Sequence, residues 1–429
     1  MSRVKLGTFI ESYGDGLHGT PTYDEHGEYY FINGNNLING AISIDNDTLR
    51  VSKSEYERIK RPLGEKAVLL SINGTLGRVA EYKGEKIALG KSACYINIKS
   101  DANKDFVKYI MMTQEFQKYI LLVAHGSTIK NLAPSQVTDY EFSLPENADV
   151  DRIASILSTI DNKIKINNKI NAELEAMAKT IYDYWFLQYD FPNEKGKPYK
   201  TSGGRMVWNE ELKREIPEGW EVKELKKMIT SNRGISYNTA TISGGGVPMI
   251  NLASFNVDGS YKHKGIKSYN GNYPANKILH PYDLVMCNTQ QTAIDLSKDI
   301  IGKAFLVPDI FDGDVVSSHH VTTINVQQDV LKYWLCYLFN TSYFHKYVAG
   351  YASGTNILGL TFSGVEKYQT EVPNNLILKQ FAKIAKDVET KKSILIKENQ
   401  VLASLRDFLL PLLMNGQVTF KGKNFSPEC

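Results

Sequence analysis

Apolar side chains recur every seven residues along two long stretches of the chain, 151–187 and 376–410, and neither stretch contains glycine or proline. The first row consists of Ile153, Ile160, Leu174 and Ile181, and the second of Phe381, Val388, Leu395, Leu402 and Leu409. A seven-residue apolar repeat predicts a helix with one narrow apolar face, as in a coiled coil. Asn167 interrupts the first row, as a polar residue that fixes the register of two paired helices would.

The second apolar row follows the first at a constant offset along the chain, so that Phe381 corresponds to Ile153 and Leu409 to Ile181. The offset is 228, the difference between 381 and 153. The same offset relates positions that precede the helices, namely Gly126 and Gly354, Leu132 and Leu360, and Tyr140 and Tyr368. A period this long is too large for a solenoid. The sequence therefore predicts a duplicated unit made of one globule and one long helix.

Short apolar runs bounded by turn residues predict strands in both globules, and helical spacing predicts one helix at 105–124 and its counterpart at 332–350. The predicted fold class is α+β, with two mixed α/β globules separated by two long helices that pair as an antiparallel coiled coil with a pseudo-two-fold repeat. The predicted domains are a first globule at 1–147, a long helix at 148–188, an exposed polar connector at 189–215, a second globule at 216–373, a second long helix at 374–415 and a tail at 416–429.

Composition is that of an ordinary soluble globular protein, with 42% hydrophobic and 23% charged residues. The net charge is only +3, so binding to nucleic acid would depend on local basic patches. Four cysteines without CxxC spacing argue against a zinc site or a disulfide framework. The amino-terminal sequence lacks the apolar core of a secretory signal, and we expect a cytoplasmic protein.

Motifs for catalysis are missing from the sequence. There is no GxxxxGK[ST] phosphate loop, no GxGxxG after a strand and no Asn-Pro-Pro-aromatic tetrapeptide. Asp190 with Glu211 and Lys213 loosely resembles a nuclease triad but lies in the polar connector, where chance is the better account. His319 and His320 are predicted on a strand, where neighbours point to opposite faces and cannot easily share a metal ion. We therefore expect no catalytic residue, metal or cofactor in this chain.

Polar and basic side chains near predicted strand ends and turns are candidates for DNA contacts. Paired amides suit adenine edges, and basic or hydroxyl groups suit phosphates or guanine. For the basic positions the alternative is a solvated hairpin or surface, and for the loops that begin at Gly126 and Gly354 it is a structural role. The candidates are Arg78, Lys91, Ser127, Thr128, Lys130, Lys262, Lys264, Lys267, Gln290, Gln291, Thr355 and Asn356.

Aromatic residues at the end of the first long helix exceed what a seam between two helices can bury. They are Tyr182, Tyr184, Trp185 and Phe186. One interpretation is that they anchor a partner subunit, since aromatic side chains dominate many interfaces. The other is that they pack on the second globule. The sequence leaves both open.

Six short segments follow one another in a distinctive order within the layout of globule, helix, globule and helix. They are His18 to Tyr23 (HGTPTY), Phe31 to Asn35 (FINGN), Tyr184 to Phe186 (YWF), Ile216 to Trp220 (IPEGW), Pro248 to Asn251 (PMIN), and Thr292 to Asp295 (TAID) with Ile301-Gly302. With these segments, the layout resembles the specificity subunit of Type I restriction-modification enzymes. The resemblance covers nearly the whole chain, and it depends on the order of the segments together with the duplication.

The resemblance implies a non-catalytic subunit whose two target-recognition domains read the two halves of a bipartite DNA target. It also implies that the long helices dock two methyltransferase (M) subunits, which bind S-adenosylmethionine and methylate adenine. Restriction (R) subunits would add ATP- and Mg-dependent cleavage. Two alternatives stay open: a self-contained nuclease or methyltransferase, and a coiled-coil scaffold that binds proteins.

Overall fold

The computed structural model describes residues 2–38, 40–45, 47–126, 129–144, 149–242, 244–291, 298–355 and 357–418. The chain forms two compact units. Unit 1 comprises residues 1–164 and 400–429, and unit 2 comprises residues 165–399. The two long helices, Val150–Tyr182 and Asn375–Met414, each contribute one part to either unit. The domain bounds derived from the sequence stay a prediction.

Unit 1 is built on a six-stranded sheet in the order β2-β10-β7-β8-β5-β4, a three-stranded sheet β6-β3-β9 and the pair β1-β11. Its strands are β1 Ser2–Lys5, β2 Ile10–Asp15, β3 Tyr29–Ile32, β4 Leu37–Ile38, β5 Gly40–Ile42, β6 Arg50–Val51, β7 Ala67–Ser71, β8 Val79–Glu81, β9 Ile87–Leu89, β10 Ala93–Ile98 and β11 Glu141–Leu144. Its short helices are α1 Lys53–Ile59, α2 Lys104–Met112, α3 Gln114–Val123 and α4 Pro134–Thr138.

The central strand β7 reads AVLLS and is buried at every residue. A run of this kind is expected where both faces of a sheet are covered. Val68 and Leu70 pack in the same core as the helices α2 and α3, whereas Leu69 packs in the core of the three-stranded sheet. Alternation along the strand thus divides its side chains between two cores.

Unit 2 repeats this plan. Its strands are β12 Met206–Asn209, β13 Arg214–Pro217, β14 Glu221–Glu224, β15 Ile229–Arg233, β16 Val247–Ile250, β17 Lys267–Tyr269, β18 Ile278–Leu279, β19 Leu284–Cys287, β20 Thr289–Gln291, β21 Ala304–Leu306, β22 Val315–Ser317, β23 Val321–Val326, β24 Ala352–Ser353, β25 Ile357–Leu360 and β26 Gln369–Val372. Its short helices are α6 Leu331–Asn340, α7 Ser342–Ala349 and α8 Phe362–Glu366. The two long helices that the units share are α5, Val150–Tyr182, and α9, Asn375–Met414.

The sheets of unit 2 correspond to those of unit 1. The order β15-β23-β19-β21 matches β2-β10-β7-β8, the order β17-β16-β22-β18 contains a parallel pair like β3 and β9, and β14-β26 matches β1-β11. The sheet β20-β25-β24 and the hairpin β12-β13 complete the unit. The first residues of β10 and β23 are separated by the same offset as the apolar rows, and so are those of β11 and β26. The predicted repeat is therefore confirmed in the topology.

Each predicted globular helix is in fact two helices. Thr113 ends α2 and caps α3, and Thr341 does the same between α6 and α7. Both residues have extended backbone angles, with φ −64 and ψ 150 for Thr113 and φ −68 and ψ 149 for Thr341. The prediction of one continuous helix was wrong because threonine, as an N-cap, stabilises the start of a new helix.

The two long helices pair antiparallel within each unit, and the predicted fold class is confirmed. In unit 2, Asn167 lies beside Glu398, and Phe186 packs edge-on against Phe381 with ring centroids 5.0 Å apart. In unit 1, Asp161 and Arg406 form an ion pair at 2.9 Å. Asn167 is fully buried and donates to Glu398 at 2.7 Å and to Asn399 at 2.9 Å, which supports its role in fixing the register.

The segment predicted as an exposed polar connector is partly buried. Tyr189 and Phe191 pack against Trp220, with ring centroids 5.7 and 5.2 Å from its ring. Asp190 accepts hydrogen bonds from the backbone and hydroxyl of Thr201 at 2.8 and 2.6 Å. The glycines and lysines of this segment indicated an exposed connector. The prediction was wrong because the aromatic side chains of Tyr189 and Phe191 are buried in the core of unit 2. The carboxylate of Asp190 serves a local turn, which agrees with the chance account of the nuclease-like triad.

Candidate nucleic-acid interface

One edge of unit 1 gathers four loops where β7 ends and β10 begins. We call this edge the first rim, and it consists of residues 33–36, 72–78, 90–92 and 130–132. Gly34 donates its backbone N–H to Ser92 Oγ at 2.9 Å, and Ile72 donates to the carbonyl of Ser92 at 3.0 Å. Leu132 in turn donates to the carbonyl of Ile72 at 2.9 Å. Backbone hydrogen bonds therefore hold the loops together.

Three of the predicted DNA-contact residues lie on the first rim. Lys91 is exposed at the turn between β9 and β10, and Lys130 is exposed in the loop before Leu132. Arg78 is half-buried and donates to the carbonyl of Asn35 at 3.3 Å. Ser127 and Thr128 lie outside the described residues. The rim thus presents cationic side chains over a frame of backbone groups, a combination suited to phosphate contacts.

Unit 2 has an equivalent edge, which we call the second rim: residues 251–254, 288–291, 318–320 and 360. Asn288 donates its N–H to the carbonyl of His320 at 3.0 Å, and Leu360 donates to the carbonyl of Asn288 at 2.8 Å. By the constant offset of the repeat, His320 corresponds to Ser92 and Leu360 to Leu132. The backbone geometry of the first rim therefore recurs in the second with different side chains.

The glutamine pair of unit 2 lies on the second rim in β20. Gln290 is half-buried, is paired with Leu358 of β25, and accepts at Oε1 from the N–H of Ile300 at 3.4 Å. Gln291 ends the strand, and its side chain lies outside what the structure describes. Thr355 is exposed in the loop that precedes β25, and Asn356 is outside the described residues.

The basic and aromatic cluster predicted at 261–267 is divided between two places. Tyr261 packs against Phe305 with ring centroids 5.3 Å apart. Lys262 and Lys264 are exposed at the short turn that leads away from it. Lys267 instead places its ammonium group 5.1 Å from the ring centroid of Tyr237. Of the three lysines, Lys267 thus takes part in the aromatic group beside the second rim.

Arg233 and Tyr237 also belong to the candidate site, although neither was among the residues predicted from the sequence. Arg233 is exposed and donates through Nε to the carbonyl of His319 at 2.8 Å. The ring of Tyr237 lies 5.4 Å from that of His319. A parallel bridge between Ile235 and Ser318 brings these segments together. The signal available for finding this place was the repeat, whose constant offset relates His319 to Lys91.

His319 and His320 lie together rather than on opposite faces, with ring centroids 3.8 Å apart. The prediction was wrong because the pair follows β22 in a turn and does not belong to a strand. Both Nδ1 atoms are buried, and neither has a hydrogen-bond partner among the described residues. Burial and the neighbouring charges of His319, Arg233 and Lys267 lower the pKa of His320 to about 4. The His320 ring is therefore uncharged at neutral pH.

Two comparisons with known proteins show what the chain is similar to. Residues 4–176 match the family described as the Type I restriction modification DNA specificity domain. The chain is 24% identical over 357 residues to the Type I restriction enzyme MjaIX specificity subunit of Methanocaldococcus jannaschii, which covers 82% of this chain and 77% of the relative. The chain is thus similar to the specificity subunits of Type I restriction-modification enzymes, and its residues 4–176 match their DNA specificity domain.

Further relatives extend the likeness over nearly the whole length of the chain. The MjaVIII specificity subunit of the same organism is 21% identical over 428 residues, covering 98% of this chain and 94% of the relative. The crystal structure of a Type-I restriction-modification system S subunit from M. genitalium has the same fold, with a TM-score of 0.55 and 13% identity, and covers 98% of this chain and 96% of that chain. The predicted recognition is confirmed.

The aromatic residues proposed to dock a partner are mostly part of the core of unit 2. Tyr182 and Phe186 are 2% and 3% exposed, and Trp185 packs partly buried beside them. These three pack on the second globule, which was the alternative interpretation. Tyr184 alone of the four is exposed, at 52%. A docking role for Tyr182 and Phe186 was wrong because their rings fill the space between the paired helices and the helix α6.

The part of the chain that the structure describes contains no candidate metal site and no candidate membrane span. Within the described ranges, no group of three or more His, Cys, Asp or Glu side chains is placed to hold a metal ion. Among the helices that the structure describes, none is both long and apolar enough to cross a membrane.

Proposed function

We propose that each unit of this specificity subunit reads one half of a bipartite DNA target through its rim. The observation that carries the proposal is the repetition of the rim: the same hydrogen bonds join Ile72 to Ser92 and Asn288 to His320. A repeated frame with different side chains suits two half-sites of different sequence. Phosphate contacts from the frame would position the DNA, and side chains at its edge would select bases.

The side chains at equivalent positions support different readings of the two half-sites. Lys91 in the first rim is a flexible cation. His319 in the second rim has its ring beside that of Tyr237, and its backbone carbonyl accepts a hydrogen bond from Arg233. A lysine suits phosphates or the acceptor edge of guanine. An uncharged histidine whose Nδ1 atom is buried can offer only Nε2 to a base, as a donor or an acceptor according to the tautomer. The two rims would therefore prefer different bases.

The long helices are proposed to set the spacing between the half-sites and to dock two M subunits. Those subunits would bind S-adenosylmethionine and methylate adenine, and R subunits would add ATP- and Mg-dependent restriction. We place this assembly in the cytoplasm, where DNA is accessible. The buried free thiols of Cys94, Cys287 and Cys336 are compatible with a reducing compartment.

Methylation mapping tests the proposal. Genomic DNA from cells that contain the chain and its M subunit is compared with DNA from cells that lack the chain. We expect a split adenine-methylated motif that depends on the chain. Exchange of residues 1–147 for those of a relative should change one half of the motif and leave the other intact. A change in both halves, or in neither, would contradict the proposal.

The scaffold alternative predicts a different result. A chain that only holds proteins together would leave the methylation pattern unchanged when the first rim is altered. Duplex binding by the complex of the chain with its M subunit, measured with and without substitutions in either rim, separates these alternatives directly.

A further inference from the structure

Equivalent tyrosines in the two units have different surroundings. In unit 1, Tyr109 donates its hydroxyl to Asp161 at 2.7 Å, and Asp161 also accepts from the guanidinium of Arg406 at 2.9 Å. By the constant offset of the repeat, Tyr337 occupies the position of Tyr109 in unit 2, and Glu389 that of Asp161. The Tyr337 hydroxyl is buried and has no hydrogen-bond partner in the described part of the chain.

The difference arises from the residue at the position of Arg406. Counting back by the same offset places Ala178 there, a buried alanine without a polar group. Glu389 instead accepts from Lys392 at 2.9 Å, and the same ammonium also contacts Glu175. One cation therefore faces two carboxylates. At the position where unit 1 has the guanidinium that completes the arrangement, unit 2 has an alanine.

A cavity of about 820 Å³ lies beside these groups, entirely within unit 2. Its walls come from one face of α5, the loop at 258–263, the helix α6 and the long helix α9. Asn171 also lines it, and its buried Oδ1 atom has no partner among the described residues. A carbonyl oxygen only accepts hydrogen bonds, so an occupant must carry donors.

The charges that line the cavity also favour a cationic group. Its acidic residues are Glu175, Asp183, Asp258 and Glu389, and its lysines are Lys179, Lys303 and Lys392. Lys179 is paired with Asp183 at 2.8 Å. Unpaired buried acceptors are costly, and a charged donor satisfies them with stronger bonds than a neutral one. The planar guanidinium offers several donors on an apolar stem that suits the walls.

We propose that this cavity of unit 2 receives an arginine side chain from a protein subunit that assembles with the chain. The guanidinium of that arginine would take the place that the guanidinium of Arg406 occupies in unit 1. Naming that subunit as the M subunit rests on the proposed function. The occupant bonds to Asn171 and Tyr337 and balances the second carboxylate beside Lys392. The first unit needs no such group because its own helix provides it.

The test uses the full chain and the double variant Asn171→Ala, Tyr337→Phe, which removes both unpaired groups without adding bulk. Tyr333→Phe, on the same helix but outside the cavity lining, is the matched control. N-acetylargininamide is the probe, and N-acetylcitrullinamide is its uncharged counterpart. We expect the arginine probe to raise the melting temperature of the wild type and of the control more than the citrulline probe does, and to have no such effect on the double variant.

Affinity for the M subunit is measured with the same proteins. We expect the double variant to bind about tenfold more weakly, as the loss of charge-assisted hydrogen bonds implies, and the control to bind as the wild type does. Unchanged affinity would overturn the proposal, even if the arginine probe binds, because the site would then serve a small free cation. If the wild type binds no M subunit but the arginine probe still raises its melting temperature more than the citrulline probe does, the proposed function fails. The cavity would then still be a site for a guanidinium group. If the arginine and citrulline probes change the melting temperature of the wild type equally, the assignment of the cavity to a guanidinium group is overturned.

Discussion

Thr113 and Thr341 hold the same position in the two units, related by the constant offset of the repeat. The hydroxyl of each donates to the carbonyl three residues earlier, at 2.7 Å for Thr113 and 2.6 Å for Thr341. The same oxygen accepts the N–H three residues later, at 3.3 and 3.4 Å. One side chain thus closes one helix and begins the next. We expect the corner between the helices to depend on it in both units.

Replacing either threonine with alanine should lower the free energy of unfolding by about 1 kcal/mol, the usual value of an N-cap. Serine at the same position should restore most of the loss because it keeps the hydroxyl. Urea unfolding monitored by circular dichroism measures both effects. Equal stability of the alanine and serine variants would show that the hydroxyl contributes nothing.

The equivalent tyrosines provide a sharper comparison. Tyr109→Phe removes a donor from the carboxylate of Asp161, and a hydrogen bond to a charged group contributes about 1.5–3 kcal/mol. Tyr337→Phe removes a hydroxyl that is buried without a partner among the described residues, so we expect no loss of stability. Unfolding in urea of the two variants beside the wild type measures the difference. Similar destabilisation by both substitutions would contradict the assignment of the bonds.

Much of the fold was predictable because its signals are local or periodic. The seven-residue rows predicted the long helices, and the constant offset predicted the duplication. The break at Thr113 was not predicted, since the apolar spacing continues across it and only the cap interrupts the helix. The burial of Tyr189 and Phe191 was missed for the opposite reason: the polar residues around them indicated an exposed segment.

The candidate site was predicted less completely because it is assembled from distant parts of the chain. Lys91 and Lys130 were candidates from the sequence, and both are exposed on the first rim. Arg233 and Tyr237 were not, because a parallel bridge between segments far apart in the sequence brings them to His319, and such a contact leaves no local pattern. Tyr182 and Phe186 were ambiguous from sequence, since an aromatic residue at a helix end is equally compatible with a core and an interface.

Asn167 offers a test of the pairing of the long helices in unit 2. Its amide donates to Glu398 and Asn399, and its side chain is fully buried. Alanine should lower the free energy of unfolding by about 1–3 kcal/mol, because the acceptors on the facing helix lose their donor. Asn162→Ala is the control: Asn162 is exposed on the same helix, and surface changes usually alter stability by less than about 0.5 kcal/mol. Equal effects of both variants in urea unfolding would contradict the role of Asn167.

Lys91 tests whether the first rim contacts DNA phosphates. If its ammonium neutralises one phosphate, Lys91→Ala should reduce the slope of log affinity against log salt by about 0.9. The measurement is a salt titration of duplex binding by the chain in complex with its M subunit. Lys195→Ala, an exposed lysine that belongs to neither rim, should leave the slope unchanged. An unchanged slope for Lys91→Ala would remove this residue from the interface.

His320 makes the stability of unit 2 dependent on pH in a defined direction. Its ring is packed against His319 and lies near Arg233, Lys267 and Tyr237, so burial and nearby positive charge lower its pKa from 6.5 to about 4. Between these values the unfolded chain binds a proton that the folded chain does not, and stability is therefore lost as pH falls from 6.5 to 4. His320→Gln removes the titrating group, so the wild type should lose more stability than this variant over the same range. Urea unfolding of both proteins at pH 7 and pH 4.5 gives the difference, in which the contribution of the carboxylates cancels. If both proteins lost the same free energy of unfolding, the pKa of His320 would not be lowered by folding. That result would contradict the burial of its ring in the turn after β22.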